Sequence, residues 1–220
     1  MYPPRTVVVL WLFAAIAAAP TAALAQEPTP NLQLLAAARA GDSAGAARAL
    51  KAGATPNARS RIGETALVIA LRNGQLELAR QMLDAGTDVN LAAANGVTPL
   101  MAAAYGGYTD IARALLAKGA AVAAVDRLQK NAMTYAAGQG STEVVRLLLG
   151  SGVDANATYA HSLTALMWAA GYGHSDTVRV LLDAGARVQL RDDRGKTALD
   201  IAREQNFPET AKLLESAGKT

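Results

Sequence analysis

Thr65, Thr98, Asn131, Thr164 and Thr197 stand 33 residues apart with no insertion between them, and this fixed interval constrains the fold more than any composition could. Two positions further on come Leu67, Leu100, Met133, Leu166 and Leu199; five positions on come Ala70, Ala103, Ala136, Ala169 and Ala202. Apolar residues at that spacing mark the buried side of a short helix. Gly74, Gly107, Gly140 and Gly173 then interrupt the pattern before a second apolar stretch, which ends in Met82-Leu83, Leu115-Leu116, Leu148-Leu149, Leu181-Leu182 and Leu213-Leu214. Gly86, Gly119, Gly152, Gly185 and Gly218 follow in step, in the place of a residue just past a helix C-terminus. Each unit is therefore predicted to be helix, turn, helix. Such a unit cannot bury its apolar face alone and must stack on its neighbours.

The residues resemble the ankyrin repeat, most clearly in Thr98-Pro99-Leu100 with Ala102-Ala103 and in Asp84-Ala85-Gly86-Thr87-Asp88-Val89-Asn90. The resemblance runs through nearly all of the chain after residue 30. It implies an all-α repeat solenoid, with paired antiparallel helices joined by short β-hairpin-like loops. The local chemistry agrees, because Thr98 can cap a helix through its hydroxyl and Pro99 at the first helical position gives up an amide that has no partner there anyway. The sequence departs from the family in having Val68, Met101, Thr134, Met167 and Asp200 where His commonly follows Thr-Pro-Leu. Fewer loop-to-loop hydrogen bonds are expected in consequence. The competing 34-residue tetratricopeptide solenoid fails on period and on the recurrent glycines.

This reading divides the chain into a leader over 1–25, a linker over 26–30 and a repeat domain over 31–219. Within the domain, an N-terminal cap over 31–58 precedes repeats at 59–91, 92–124, 125–157 and 158–190. The last repeat, 191–219, carries Glu204, Asn206, Pro208, Lys212 and Glu215, the polar outer face that a terminal repeat requires. The 125–157 repeat fits least well, with Asn131 for Thr, Ala132 for Pro and Gln129 for the hairpin glycine, and is expected to open most readily.

Arg5, an apolar run from Val7 to Ala19, Pro20 and Ala23-Leu24-Ala25 before Gln26 form the three-part layout of a secretory signal peptide. Pro20 interrupts the run short of the roughly 20 apolar residues that a membrane span needs. Export with cleavage after Ala25 is expected, placing a mature chain without a membrane span in a periplasm or outside the cell. The net charge of +3 is too balanced for a nucleic-acid footprint. The absence of cysteine excludes disulfides, thiolate zinc sites and a cysteine nucleophile.

Most conspicuous residues are accounted for by the repeat. Glu77, Asp110, Glu143, Asp176 and Glu209 share one position near the start of the second helix, where they complement its positive end. Arg80, Arg113, Arg146, Arg179 and Lys212 follow three residues later on the same helix face. Gly138-Gln139-Gly140 and Gly171-Tyr172-Gly173 join two helices, whereas a phosphate loop follows a strand. Two histidines 13 residues apart, His161 and His174, do not make a metal ligand set. Asn156-Ala157-Thr158 is a formal glycosylation sequon, but Asn156 repeats Asn57 and Asn90. No nucleophile, base and orienting group can be assembled, so no catalysis, cofactor or metal is expected.

What the resemblance leaves for function is a binding face made of hairpin tips and the exposed side of the first helices. At the tips it predicts Arg61, Ile62, Glu64, Asn95, Val97, Arg127, Leu128, Lys130, His161, Leu163, Asp193, Arg194 and Lys196. On the first helices it predicts Arg72, Asn73, Tyr105, Gln139, Tyr172, Glu204 and Gln205, with Tyr108 and His174 just beyond. Tyr105, Tyr108 and Tyr172 are expected to form walls over a floor of Gly106, Gly138 and Gly171, and tyrosine is enriched where interface energy concentrates. Trp168 and Tyr135 share the position of Ile69 and Ile201 and are expected in the core. The expected function is therefore that of a monomeric, non-catalytic module that stabilises, scaffolds or inhibits another protein outside the cytoplasm. The alternative is a secreted effector or immunity-type protein that neutralises a toxin or host target.

Overall fold

The computed structural model describes residues 28–218. The leader expected over 1–25 and the cleavage expected after Ala25 lie outside them. Twelve α-helices occur in the described residues and form six antiparallel pairs: α1 (Pro30–Ala40) with α2 (Ser43–Lys51), α3 (Ala66–Arg72) with α4 (Leu76–Asp84), α5 (Pro99–Gly106) with α6 (Thr109–Ala117), α7 (Ala132–Gln139) with α8 (Thr142–Gly150), α9 (Ala165–Gly171) with α10 (Ser175–Asp183), and α11 (Ala198–Glu204) with α12 (Pro208–Ala217). Each first helix packs on the next first helix and each second helix on the next second helix, giving two layers with the core between them. Helix α1 begins at Pro30 with Thr29 as its cap, so the first helix pair starts inside the expected linker.

The capping residues do what their chemistry predicts. Thr65, Thr98, Asn131, Thr164 and Thr197 each accept a hydrogen bond from an amide three residues on. Where His is missing, the substitute residue returns the bond in several units: Thr134 Oγ1 accepts from the Asn131 amide at 2.9 Å, and Asp200 Oδ2 from the Thr197 amide at 2.9 Å. The first helix of the 125–157 repeat is thus capped despite its divergent residues.

The short turn inside each pair needs a left-handed residue, which Gly41, Gly74, Gly107, Gly140 and Gly173 supply at φ 68 to 73°, and Asn206 at φ 61°. Behind the second helices, Gly86, Gly119, Gly152 and Gly185 are left-handed too, whereas Gly218 ends α12 at φ −81° in the right-handed region.

Two ladders tie the units together. Ala94 donates to Ile62 O, Arg127 to Asn95 O and Asp193 to His161 O, all through backbone amides at 3.0–3.1 Å. The corresponding step between tips 128 and 160 is not made among the described residues. There the tip is a single 3-10 turn, Ala160–Ser162, with His161 and Ser162 both left-handed. The second ladder is side chain to backbone. Asn90 accepts from the Ala121 amide at 2.8 Å and donates to Gly119 O at 3.1 Å; Asn156 accepts from the Arg187 amide at 2.8 Å and donates to Gly185 O at 3.0 Å. Both polar ends of the Asn156 side chain are thus committed to the scaffold.

Between those two rungs the ladder position falls on Ala123. Ala123→Asn is expected to accept from the Asp154 amide, donate to Gly152 O and stabilise the chain by about 1 kcal/mol. Urea denaturation of the two proteins checks this; an unchanged or lower midpoint counts against the ladder as a source of stability.

Candidate partner-binding site on the first-helix face

Three repeat positions build the face that carries the first helices and tips. One runs Arg72, Tyr105, Gly138, Gly171 and Glu204; a second runs Ile69, Ala102, Tyr135, Trp168 and Ile201; a third, at the foot of each tip, runs Glu64, Val97, Lys130, Leu163 and Lys196. What these positions hold changes along the stack. At the two ends they close on themselves by ion pairs, Arg72 with Glu64 and Lys196 with Glu204. In the middle they hold rings and glycines instead.

Tyr105 meets the Tyr135 ring edge-on at a centroid distance of 6.0 Å. Lys130 Nζ lies 5.8 Å from the Tyr135 ring centroid and 4.6 Å from that of Trp168, an arrangement in which an ammonium is attracted to the negative ring faces. Trp168 in turn stacks on Tyr172 at 6.3 Å, and Tyr172 on His174 at 6.3 Å. The result is an aromatic strip crossing three repeats, with Tyr105 and Tyr172 more than half exposed. Gly138 makes room for it: a Cβ there would stand 3.5 Å from Trp168 Cε3 and 3.8 Å from Tyr172 Cε2. Beside the stack is a groove of about 300 Å³, lined chiefly by Leu163, Met167, Trp168, Tyr172, Arg194 and Ile201.

Buried carboxylates at the tips hold the Tyr135 ring of the strip and the Arg194 side chain beside the groove. Asp126 is buried, receives the Tyr135 hydroxyl at 2.5 Å and accepts from the Leu128 and Lys130 amides at 2.8 and 2.9 Å. Burial, then the hydrogen bond to Asp126, pushes the Tyr135 phenol well above its ordinary value and keeps it protonated. Two repeats on, Asp192 receives Arg194 through Nε at 2.9 Å and Nη2 at 2.7 Å. Burial alone would raise the Asp192 carboxyl, but bonds from the Lys196 amide and from the Arg194 side chain and amide outweigh it and hold the group below its ordinary value.

The sequence-predicted residues separate into two groups. Arg61, Ile62, Asn95, Arg127, Leu128 and His161 are exposed at the tips, and Arg72, Tyr105, Gln139 and Tyr172 are exposed at the first-helix ends. His161 Nδ1 lies 2.9 Å from Asp193 Oδ2 of the next tip. Tyr108 and His174, by contrast, belong to a joint between units. With Gln75, Ser141 and Phe207 they form a 33-residue series, each residue reaching over the inter-helix glycine of the preceding unit. A Cβ on Gly74 would stand 3.2 Å from Tyr108 Oη, and His174 Nε2 lies 3.0 Å from Gly138 O. Gln75, with its amide oriented to satisfy both neighbours, donates to Ala38 O at 2.6 Å and accepts from the Gly41 amide at 3.1 Å. Gly106 lies under Tyr108 and takes no part in the floor.

Three other expectations need correction. Glu64 is buried against Arg72 and is not presented at its tip, and Val97 and Leu163 are half-buried against the core. Trp168 and Tyr135 are half-buried with ring faces in the strip, although Ile69 and Ile201 at the same position are buried. The available signal was the size of the two rings at a position that isoleucine fills elsewhere, which leaves part of each ring outside the core.

Among the described residues no cluster of three or more His, Asp or Glu is placed to hold a metal ion, and no helix is long and apolar enough to cross a membrane. The stacked helix pairs, with variable residues confined to one face, define a helical-repeat binding scaffold. The chain belongs to the ankyrin-repeat family: the family model for ankyrin repeats (3 copies) matches residues 34–126, 67–159 and 133–219. Proteins of this family are generally protein-protein interaction modules and typically non-catalytic. Comparison with curated proteins gives no match.

Gly138 sits inside α7, and a methyl group added there would meet its neighbours at ordinary contact distances. Gly138→Ala is therefore expected to stabilise the chain by about 0.5–1 kcal/mol through reduced freedom of the unfolded state. Thermal unfolding checks this. A lower midpoint would mean that the ring stack cannot yield the space.

Proposed function

We propose that the protein binds a partner protein through the central aromatic strip of its first-helix face, and that it does so outside the cytoplasm. The observation that carries the first part is the change in character along one surface. The end repeats close it with ion pairs, while the middle repeats leave Tyr105 and Tyr172 exposed, with Trp168 and Tyr172 bordering an open groove. Large rigid rings kept at the surface of a stable stack supply binding area at little conformational cost. The second part is supported by the leader, with Arg5, the Val7 to Ala19 run and Ala23-Leu24-Ala25.

The test of binding is capture from a cell-envelope fraction with the native protein, with Tyr105→Ala plus Tyr172→Ala, and with Lys118→Ala, exposed at the end of second helix α6, as a control. Loss of a hot-spot pair costs at least about 2 kcal/mol, roughly 30-fold in affinity. The double variant is therefore expected to lose a partner that the native and control proteins retain, and equal capture by all three counts against the strip. For export, N-terminal sequencing of the chain recovered from the envelope is expected to begin at Gln26. An intact leader on chain found only in the cytoplasm would exclude this setting.

A further inference from the structure

The charges on this surface narrow the kind of partner that fits it. Between residues 59 and 218, the tips and first helices hold nine Lys and Arg against six Asp and Glu, whereas the second helices and the loops leaving them hold seven against ten. The two faces of the stack are therefore opposite in sign although the whole chain is nearly balanced.

The six carboxylates of the positive face are committed within the chain. Glu64 and Glu204 are paired with Arg72 and Lys196. Asp126 is taken by Tyr135 and two amides, Asp192 by Arg194, Asp193 by His161, and Asp200 by the Thr197 amide and hydroxyl. Arg61, Arg127 and Lys130, on the other hand, form no ion pair among the described residues. Two of these three flank the strip, and Lys130 rests its ammonium on the Trp168 indole without a counter-ion. At the other side of the groove Arg194 is held by Asp192 with its guanidinium still more than half exposed.

We infer that the partner presents an acidic segment bearing one bulky apolar side chain. That side chain enters the groove beside Trp168, Tyr172 and Ile201, and flanking carboxylates meet Lys130 and Arg127 on one side and Arg194 on the other. This rests on the reading that the first-helix face is the binding surface. A volume of about 300 Å³ with an indole, a phenol ring and aliphatic walls suits a single Phe, Leu or Met side chain, and the uncompensated cations suit a segment of opposite charge. Nucleic acid shares the charge and can stack on rings, but it calls for a denser run of base than Arg127, Lys130 and Arg194 provide.

The experiment is to pan a random dodecapeptide phage library against the full chain. The same library is panned in parallel against Arg127→Glu plus Lys130→Glu and against Tyr172→Ala, each shown by circular dichroism to keep its helices. All of these side chains except Lys130 are exposed, and none lies in the core. Enriched sequences are expected to carry a net charge of about −2 or lower with at least one aromatic or long aliphatic residue. A synthetic representative should lose roughly tenfold in affinity on the charge-reversed protein and about fivefold on Tyr172→Ala, and should weaken as salt is raised. Enrichment of neutral or basic peptides that still depend on Tyr172 overturns the acidic chemistry and leaves the binding face standing. Peptides that bind both variants unchanged overturn the inference and the binding face together. Displacement of the peptides by oligothymidine at equal concentration, or failure to enrich any sequence class, also overturns the acidic segment.

Discussion

The close packing of one first helix on the next is what the rest of the structure depends on. Ala70, Ala103, Ala136, Ala169 and Ala202 are all fully buried, and they let short helices of seven or eight residues stack without a gap. Helices of that length are not stable alone. Their order comes from the neighbour on each side, which is why a cap at one end of each helix and a left-handed residue at the other recur so strictly. Once the buried side is committed in this way, free variation is left to the outer ends of the first helices and the tips.

The architecture was legible because it is periodic. A threonine that caps its helix and a glycine that reverses the chain have local reasons to be where they are, and a 33-residue interval reveals both. Side-chain direction across the joint between units was less legible. Tyr108 and His174 follow a left-handed residue that turns them back over the preceding unit, and a one-dimensional register shows the shared position without showing that turn. Trp168 was obscured differently, since its position is a core one in the units of Ile69 and Ile201. A ring there is too large to be covered: Tyr135 and Trp168 are both half-buried, whether the residue 30 positions earlier is Tyr105 or Gly138, whereas Ile201 is buried behind Gly171. Burial at this position thus follows the size of the side chain that fills it.

The array is not uniform along its length. The tip ladder is missing its step between 128 and 160, the asparagine ladder is missing its rung at Ala123, and Gln129 and Ser162 hold left-handed conformations where other tips have glycine. These departures cluster in the repeats that carry the aromatic strip. Gln129 can carry a side chain there because the next tip is folded as a tight 3-10 turn, whereas a Cβ on Gly96 would stand 2.9 Å from Asp126 Cα. Surface variety in the middle of the stack has thus come with relaxed stacking of the tips.

Trp168 has one more consequence. It is the sole tryptophan among residues 28–218, and its indole lies between a lysine ammonium and a stacked phenol ring at the edge of the groove. The emission of that indole is set by the very side chains that border the opening. The repeat domain therefore has an optical reporter built into its most distinctive surface, and the ultraviolet fluorescence of Trp168 responds to what occupies that surface.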